Sequence, residues 1–273
     1  DAVNIVDADL AMVSTVALDH TDWLGSDRDA IGFEKAGIYR TGRPALCGDP
    51  EPPAALLDAA QQLSAQLLCR GQAFDYQAGP EGWSWHGEGK DGVVNYTALP
   101  DPGLPLSNAA MILQALQYVP WSITEDMLRR GLGRVKLTGR MQRERWRDLD
   151  LLLDVAHNPE AAQYLANRLA GSKPGVRLVL GMMHDKDIAE VISILKSVVA
   201  DWYPVGLPVP RAATAEQLQQ VLEAQGVDAG SVHAASSVAE VLSSLADSRV
   251  STPVVVAGSF FTVAAALECV GKG

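Results

Sequence analysis

The second half of this 273-residue chain alternates short apolar runs with amphipathic ones, and that alternation restricts its fold more than any other feature. "LDLLLDV", "VRLVLGM", "DWYPVGL" and "TPVVVAGS" read as strands. "PEAAQYLANRLA", "DIAEVISILKSVV", "AEQLQQVLEAQ" and "VAEVLSSLA" carry apolar residues at helical spacing between them. Strand–helix alternation of this kind builds a small doubly wound α/β domain, whose ligands lie beyond the carboxyl ends of its strands.

The first half is less regular. "NIVDADLAMVSTVAL" reads as a buried strand ending at Leu18, and Ser26 with Asp29 forms a capping box for a helix from Asp27 to about Ala36, closed by Gly37. "PALCG" is a second strand, and "PAALLDAAQQLSAQLL" an amphipathic helix. "RGQAFDYQ" and "GWSWHGEGKDGVVNYTAL" follow as a strand and a hairpin. Further helices begin at Asn108 and with "TEDMLRRGLGRV". The basic, Gly-containing "KLTGRMQRERWR" is read as the turn between domains, which divides the chain into 1–141 and 142–273.

Composition narrows the function. A formal charge of −11 argues against a nucleic-acid binder, which needs a basic face, but leaves room for a local anion site. No apolar run approaches the ~20 residues of a membrane span, and no signal peptide is visible. Cys47, Cys69 and Cys269 are odd in number and far apart, so a reducing cytoplasm is the natural setting. The chain opens on Asp1 and enters a strand pattern within a few residues, which leads us to expect a fragment.

Three loops at strand ends carry candidate chemistry. Asp19, His20 and Asp22 follow the first strand, where a neutral imidazole could ligate a divalent cation; capping the next helix is the alternative. Lys35 stands on that helix, where a solvated charge is the plain reading. Arg140, after a Gly at the domain junction, could grip a phosphate in a forked geometry. Asp154 ends a strand, and Asn158-Pro159 opens a helix, so His157 stands at a helix N-terminus suited to anions. No G-x-x-x-x-G-K-[ST] phosphate loop occurs; "GEGKDG" lacks its spacing and its Ser or Thr.

In order, "DHTDWLGSDRDAIGFEKAGI", "SNAAMILQAL", "GRMQ", "LLLDVAHNPEAAQYL", "GMMHDKD" and "AGSFFTVA" resemble the bacterial bifunctional dihydrofolate synthase/folylpolyglutamate synthases of the Mur ligase superfamily. The resemblance covers the whole chain. It implies an incomplete Mur-ligase-type central ATPase domain over 1–141 and the Rossmann-like glutamate-ligase C-terminal domain over 142–273. It implies ATP-dependent phosphorylation of a substrate carboxylate, followed by attack of the amino group of L-glutamate.

By this likeness His20 is a Mg2+ ligand. Lys35 matches the lysine that takes up CO2 as a carbamate, N6-carboxylysine, and so becomes an anion on the metal side. Asn108, Arg140 and Asp154 match ATP contacts, while His157 and Ser259 match positions near the incoming glutamate. Asp1 and Ala2 resemble the end of a pterin-contacting segment. Phe261 stands where some relatives carry His. The family's phosphate loop lies upstream of "DHTDWLG", so the chain is expected to be inactive alone.

The implied partners are L-glutamate and dihydropteroate or folates, with no nucleic acid, no membrane and a monomer at full length. Two other readings stay open at this point: a non-catalytic module that binds glutamate or a partner, and a Mur-type ligase for another carboxylate. "EKAGI" argues against the last.

Overall fold

The computed structural model describes residues 2–16, 27–171, 175–248 and 252–271, which form two compact units, Asp1–Val135 and Lys136–Gly273. The expected "DHTDWLG" loop, with Asp19, His20 and Asp22, lies outside the described residues, as do Asp1 and Ser26.

In the first unit a parallel sheet is built from Ala11–Val13 (β1), Pro44–Cys47 (β2) and Gln66–Cys69 (β3), in that order. Two helices, Arg28–Ala36 (α1) and Ala54–Gln62 (α2), pack on it through Ile31, Leu56 and Ala60. The long first strand expected from the sequence is shorter: residues 2–5 form a 3-10 turn, and among the described residues only Ala11–Val13 pair with β2. Asp27 caps α1, its carboxylate accepting from the Ala30 N–H at 2.8 Å.

The helix expected to run through Leu68 stops at Gln62. Ser64 adopts φ +50, and "QLLC" instead pairs as a strand with β2. Those apolar residues complete a parallel sheet, a gain that outweighs local helix propensity. Buried Asp49 ties the sheet's carboxyl end together, accepting from Val16 N, Glu51 N and the Arg28 guanidinium.

A three-stranded antiparallel meander follows: Phe74–Gly79 (β4), Gly82–Gly89 (β5) and Gly92–Leu99 (β6). Leu106–Leu116 (α3) covers it, burying Leu113 and Met111 with Trp83 and Trp85. Helix α3 starts two residues before Asn108, its expected start, so that Asn108 falls in its first turn. Glu125–Arg134 (α4) is capped by the Thr124 hydroxyl.

The second unit has five strands in the order β10-β9-β11-β8-β7: Gln142–Trp146 (β7), Leu149–Asp154 (β8), Val176–Leu180 (β9), Val199–Pro204 (β10) and Val254–Ala257 (β11). All pairs are parallel except β7 with β8. Strand β7 was read from sequence as part of a basic turn; the positive φ of Arg147 lets the chain fold back and pair it instead.

Successive leucines of β8 face opposite ways. Leu152 packs with Leu178 and Val255 under Pro159–Leu169 (α5), Ile188–Leu195 (α6) and Ala215–Ala224 (α7). Leu151 and Leu153 pack with Val254 and Val256 under Val238–Asp247 (α8) and Phe260–Gly271 (α9). A strand buried on both faces needs no polar alternation, which is why these runs are continuously apolar. Helices on both faces make the unit doubly wound. Helix α6 ends at Leu195, four residues before the expected "KSVV" end, because Val199 already belongs to β10. No helix among the described residues is long and apolar enough to cross a membrane.

Because its core is self-contained, residues 136–273 expressed alone are expected to unfold in one cooperative transition. Leu153→Ala, at a fully buried position, should lower its stability by about 2–5 kcal/mol, read by urea denaturation. A broad, non-cooperative transition would contradict the independent core.

Candidate active site

Three adjacent strands of the second unit, β9, β11 and β8, end side by side, and the chemistry-bearing residues gather there. Asp154 closes β8 and is 6 % exposed. Its Oδ2 accepts from the Met141 N–H and its Oδ1 from the Ala156 N–H, both at 2.9 Å. One carboxylate thus joins the strand's own exit to the preceding 139–141 turn.

That turn is closely specified. Gly139 has φ +69, and its N–H donates to Gln142 Oε1 at 2.8 Å; Val155 N–H donates to its carbonyl. Met141 also has positive φ, at +45, a conformation that costs a side-chain-bearing residue energy and persists where contacts over-determine it. Its hydrogen bond to Asp154 is one such contact. Between these two residues stands Arg140, half-buried, its guanidinium carbon 5.4 Å from the centre of the Phe260 ring.

Beyond Asp154 the chain runs through Val155 and Ala156 to His157. Because a carbonyl only accepts, the 2.9 Å contact to Val155 O means that His157 Nδ1 carries the proton. In the neutral ring Nε2 is then an acceptor with no hydrogen-bond partner among the described residues. Asn158 caps α5, its Oδ1 taking the Ala161 N–H at 2.9 Å, with Pro159 in the first turn.

The floor lies at the end of β11. Gly258 has φ +108, and a Cβ there would sit 2.6 Å from Gly181 O, so the position admits only glycine. Ser259, buried, starts α9 by accepting the Thr262 N–H at 3.1 Å. Thr262 donates to Gly181 O at 2.6 Å, so the Ser259 hydroxyl proton goes to Thr262 Oγ1. The Ser259 hydroxyl is thus committed to joining β11, α9 and β9.

Of the residues singled out by sequence, Arg140, Asp154, His157 and Ser259 share this end of the second unit. Asn108, exposed, and Lys35, half-buried in the last turn of α1, belong to the first, as does the exposed Ala2. Asp1 and His20 are outside the described residues. Sequence reasoning missed Met141, Phe260 and Thr262. An aromatic directly after the strand-end "AGS" was the available signal for Phe260; nothing in the sequence announced the positive φ of Met141.

Among the described residues no three His, Cys, Asp or Glu side chains converge as a metal site. Burial pushes the Asp154 carboxyl above the usual Asp range, against the opposing pull of the two backbone N–H groups and of nearby Arg140 and His157. A raised carboxyl pKa means that its stabilising contribution is fully present at acid pH and is lost as pH rises through the elevated value. We expect its carboxyl carbon to titrate above the ordinary Asp range by NMR. Asp154→Asn should remove that pH dependence, and should destabilise the unit by about 1–3 kcal/mol by setting a donor against a backbone N–H.

Residues 139–260 match the glutamate ligase domain family of the Mur ligases. The chain is 43 % identical over 275 residues to the dihydrofolate synthase/folylpolyglutamate synthase of Escherichia coli strain K12, covering 99 % of this chain and 62 % of that protein. It superposes on Escherichia coli FolC in complex with DHPP and ADP with a TM-score of 0.87 at 42 % identity, covering 98 % of this chain and 63 % of that one. A bifunctional folylpolyglutamate synthase/dihydrofolate synthase from Yersinia pestis, complexed with AMPPNP and Mn ion, gives 0.87 at 42 % identity, with 99 % and 63 % covered. The chain spans about three fifths of the length of these relatives. This likeness runs through both units: residues 139–260 carry the glutamate ligase domain of the Mur ligases, and the chain as a whole is a homologue of the dihydrofolate synthase/folylpolyglutamate synthases.

Proposed function

We propose that this chain forms part of an ATP-dependent ligase that adds L-glutamate to dihydropteroate, to folyl-polyglutamates, or to both. The observation that carries this reading is the clamp by which buried Asp154 holds the Arg140 turn beside His157 at the carboxyl end of the sheet. The kinship with ligases crystallised with ADP, or with AMPPNP and manganese, supports it.

In this reading the substrate carboxylate attacks the γ-phosphorus of ATP, ADP leaves, and an acyl phosphate forms. The amine of glutamate then attacks the acyl carbon and inorganic phosphate leaves. Opposing two anions in the first step calls for cations fixed beforehand. Arg140 supplies one, with two or more N–H donors for phosphate oxygens; Asp154 keeps its turn in place and has lone pairs left for the nucleotide, and Asn108 is proposed as a further nucleotide contact. His157, whose Nδ1 is engaged by Val155 O, is proposed to accept a proton from the glutamate ammonium through Nε2 before attack. Ser259 shapes the floor near that amino acid.

His20 and a carboxylated Lys35 are the proposed ligands of a Mg2+ ion, which when bound would neutralise charge on the transferring phosphoryl group. An unmodified lysine would repel the ion, whereas reaction with CO2 turns the amine into an oxygen donor. Asp1 and Ala2 are proposed to border the pterin, and the cytoplasm is the proposed location.

Two tests follow. These 273 residues hold no G-x-x-x-x-G-K-[ST], so alone they are expected to release no ADP with glutamate and dihydropteroate; glutamate-dependent release would refute this. In the complete translation product of the reading frame, Lys35→Ala should lose most ligation and Lys35→Arg should not restore it, since a guanidinium stays protonated and takes up no CO2. Lys35→Glu, or acetate added to the Ala variant, should rescue part. Near-normal turnover in Lys35→Arg would make the lysine a simple helix charge.

A further inference from the structure

Phe260 is 61 % exposed, yet its ring is not idle. It opens α9 at the end of β11, with the Arg140 guanidinium carbon 5.4 Å from its centre and the His157 ring 6.5 Å away, tilted by 41°. Arg140 comes from the turn before β7 and His157 from the loop after β8, so Phe260 is where three separate segments meet. Phe261, 51 % exposed on the same turn, has no such cation or ring neighbour among the described residues.

An arginine head on a flexible stem must be ordered before it can present parallel N–H groups to a phosphate. The electron-rich face of an aromatic ring attracts the cation and limits where its plane can lie. Such ordering ahead of binding lowers the entropy cost of gripping the ligand. The Asp154 clamp acts on the backbone of this turn; among the described residues the Phe260 ring is a neighbour that can restrict the side-chain torsions of Arg140.

We propose that Phe260 is a positioning residue that orients Arg140 for phosphate, an inference that rests on Arg140 being a nucleotide contact. Hydrophobicity alone does not serve this purpose: an aliphatic side chain of similar bulk fills the space but has no π face. Because the ring is largely solvent-exposed, its replacement should leave the fold intact.

The experiment is a mutant cycle in the complete translation product, with MgADP as the probe, calorimetry for affinity and thermal unfolding as the control. Phe260→Leu should weaken MgADP about 2- to 5-fold, the worth of an exposed cation–π contact, without moving Tm. Phe260→Tyr and Phe260→Trp should keep the affinity, and Phe261→Leu should not change it. In an Arg140→Ala background, adding Phe260→Leu should have no further effect. In the 273-residue chain, Phe260→Leu should also shift the Arg140 Nε–H NMR signal by removing the ring current. An equal loss with Arg140 absent, or none with it present, overturns the positioning role while leaving Arg140 as a contact. Unchanged affinity in Arg140→Ala alone, or no MgADP binding by the unsubstituted protein, overturns the nucleotide reading and this inference with it.

Discussion

The Asp154 carboxylate is the constraint around which the candidate site is organised. It is buried at the end of a central strand and accepts one backbone N–H from its own exit and one from the turn thirteen residues earlier. Leaving either donor unmet in a buried setting would cost on the order of 1–3 kcal/mol. The strained backbone of Met141 is tolerable because this bond, and the Gln142 amide on Gly139, hold both ends of the turn. Arg140 is therefore presented by a rigid support rather than by a mobile loop.

The same logic extends to the neighbouring strand ends. Thr262 bonds Gly181 O from α9, so the ends of β9 and β11 are stitched by a hydroxyl, and Ser259 is consumed in making that connection. Gly258 permits the close approach through which this happens. Chemistry at the carboxyl edge of a doubly wound sheet needs several short loops held within fractions of an ångström. Here backbone groups and short polar side chains do the holding, which leaves Arg140 and His157 half-exposed and available.

The first unit follows a comparable plan with different residues. Asp49, almost fully buried, gathers two backbone N–H groups and the Arg28 guanidinium at the end of the parallel strands. An acidic group satisfied by several donors at a strand's carboxyl end thus occurs in each unit. In both, it fixes the course of the chain as it leaves the sheet.

The sequence by itself determined the doubly wound architecture of the second unit, because strands buried on both faces must be continuously apolar and their covering helices amphipathic. It also marked the end of β8 at Asp154, the Asn158 cap and the likeness to the folate ligases. It did not determine where helices gave way to strands. "QLLC" and "SVV" carry no local signal that separates the two, and only pairing with β2, and of Val199 with β9, decided them. Nor could spacing place β7, whose pairing depends on the left-handed turn at Arg147. The meeting of Arg140, His157 and Phe260 is likewise a product of the tertiary structure. They lie up to 120 residues apart, and the order of strands, set by packing over the whole sheet, is what brings their loops to one edge.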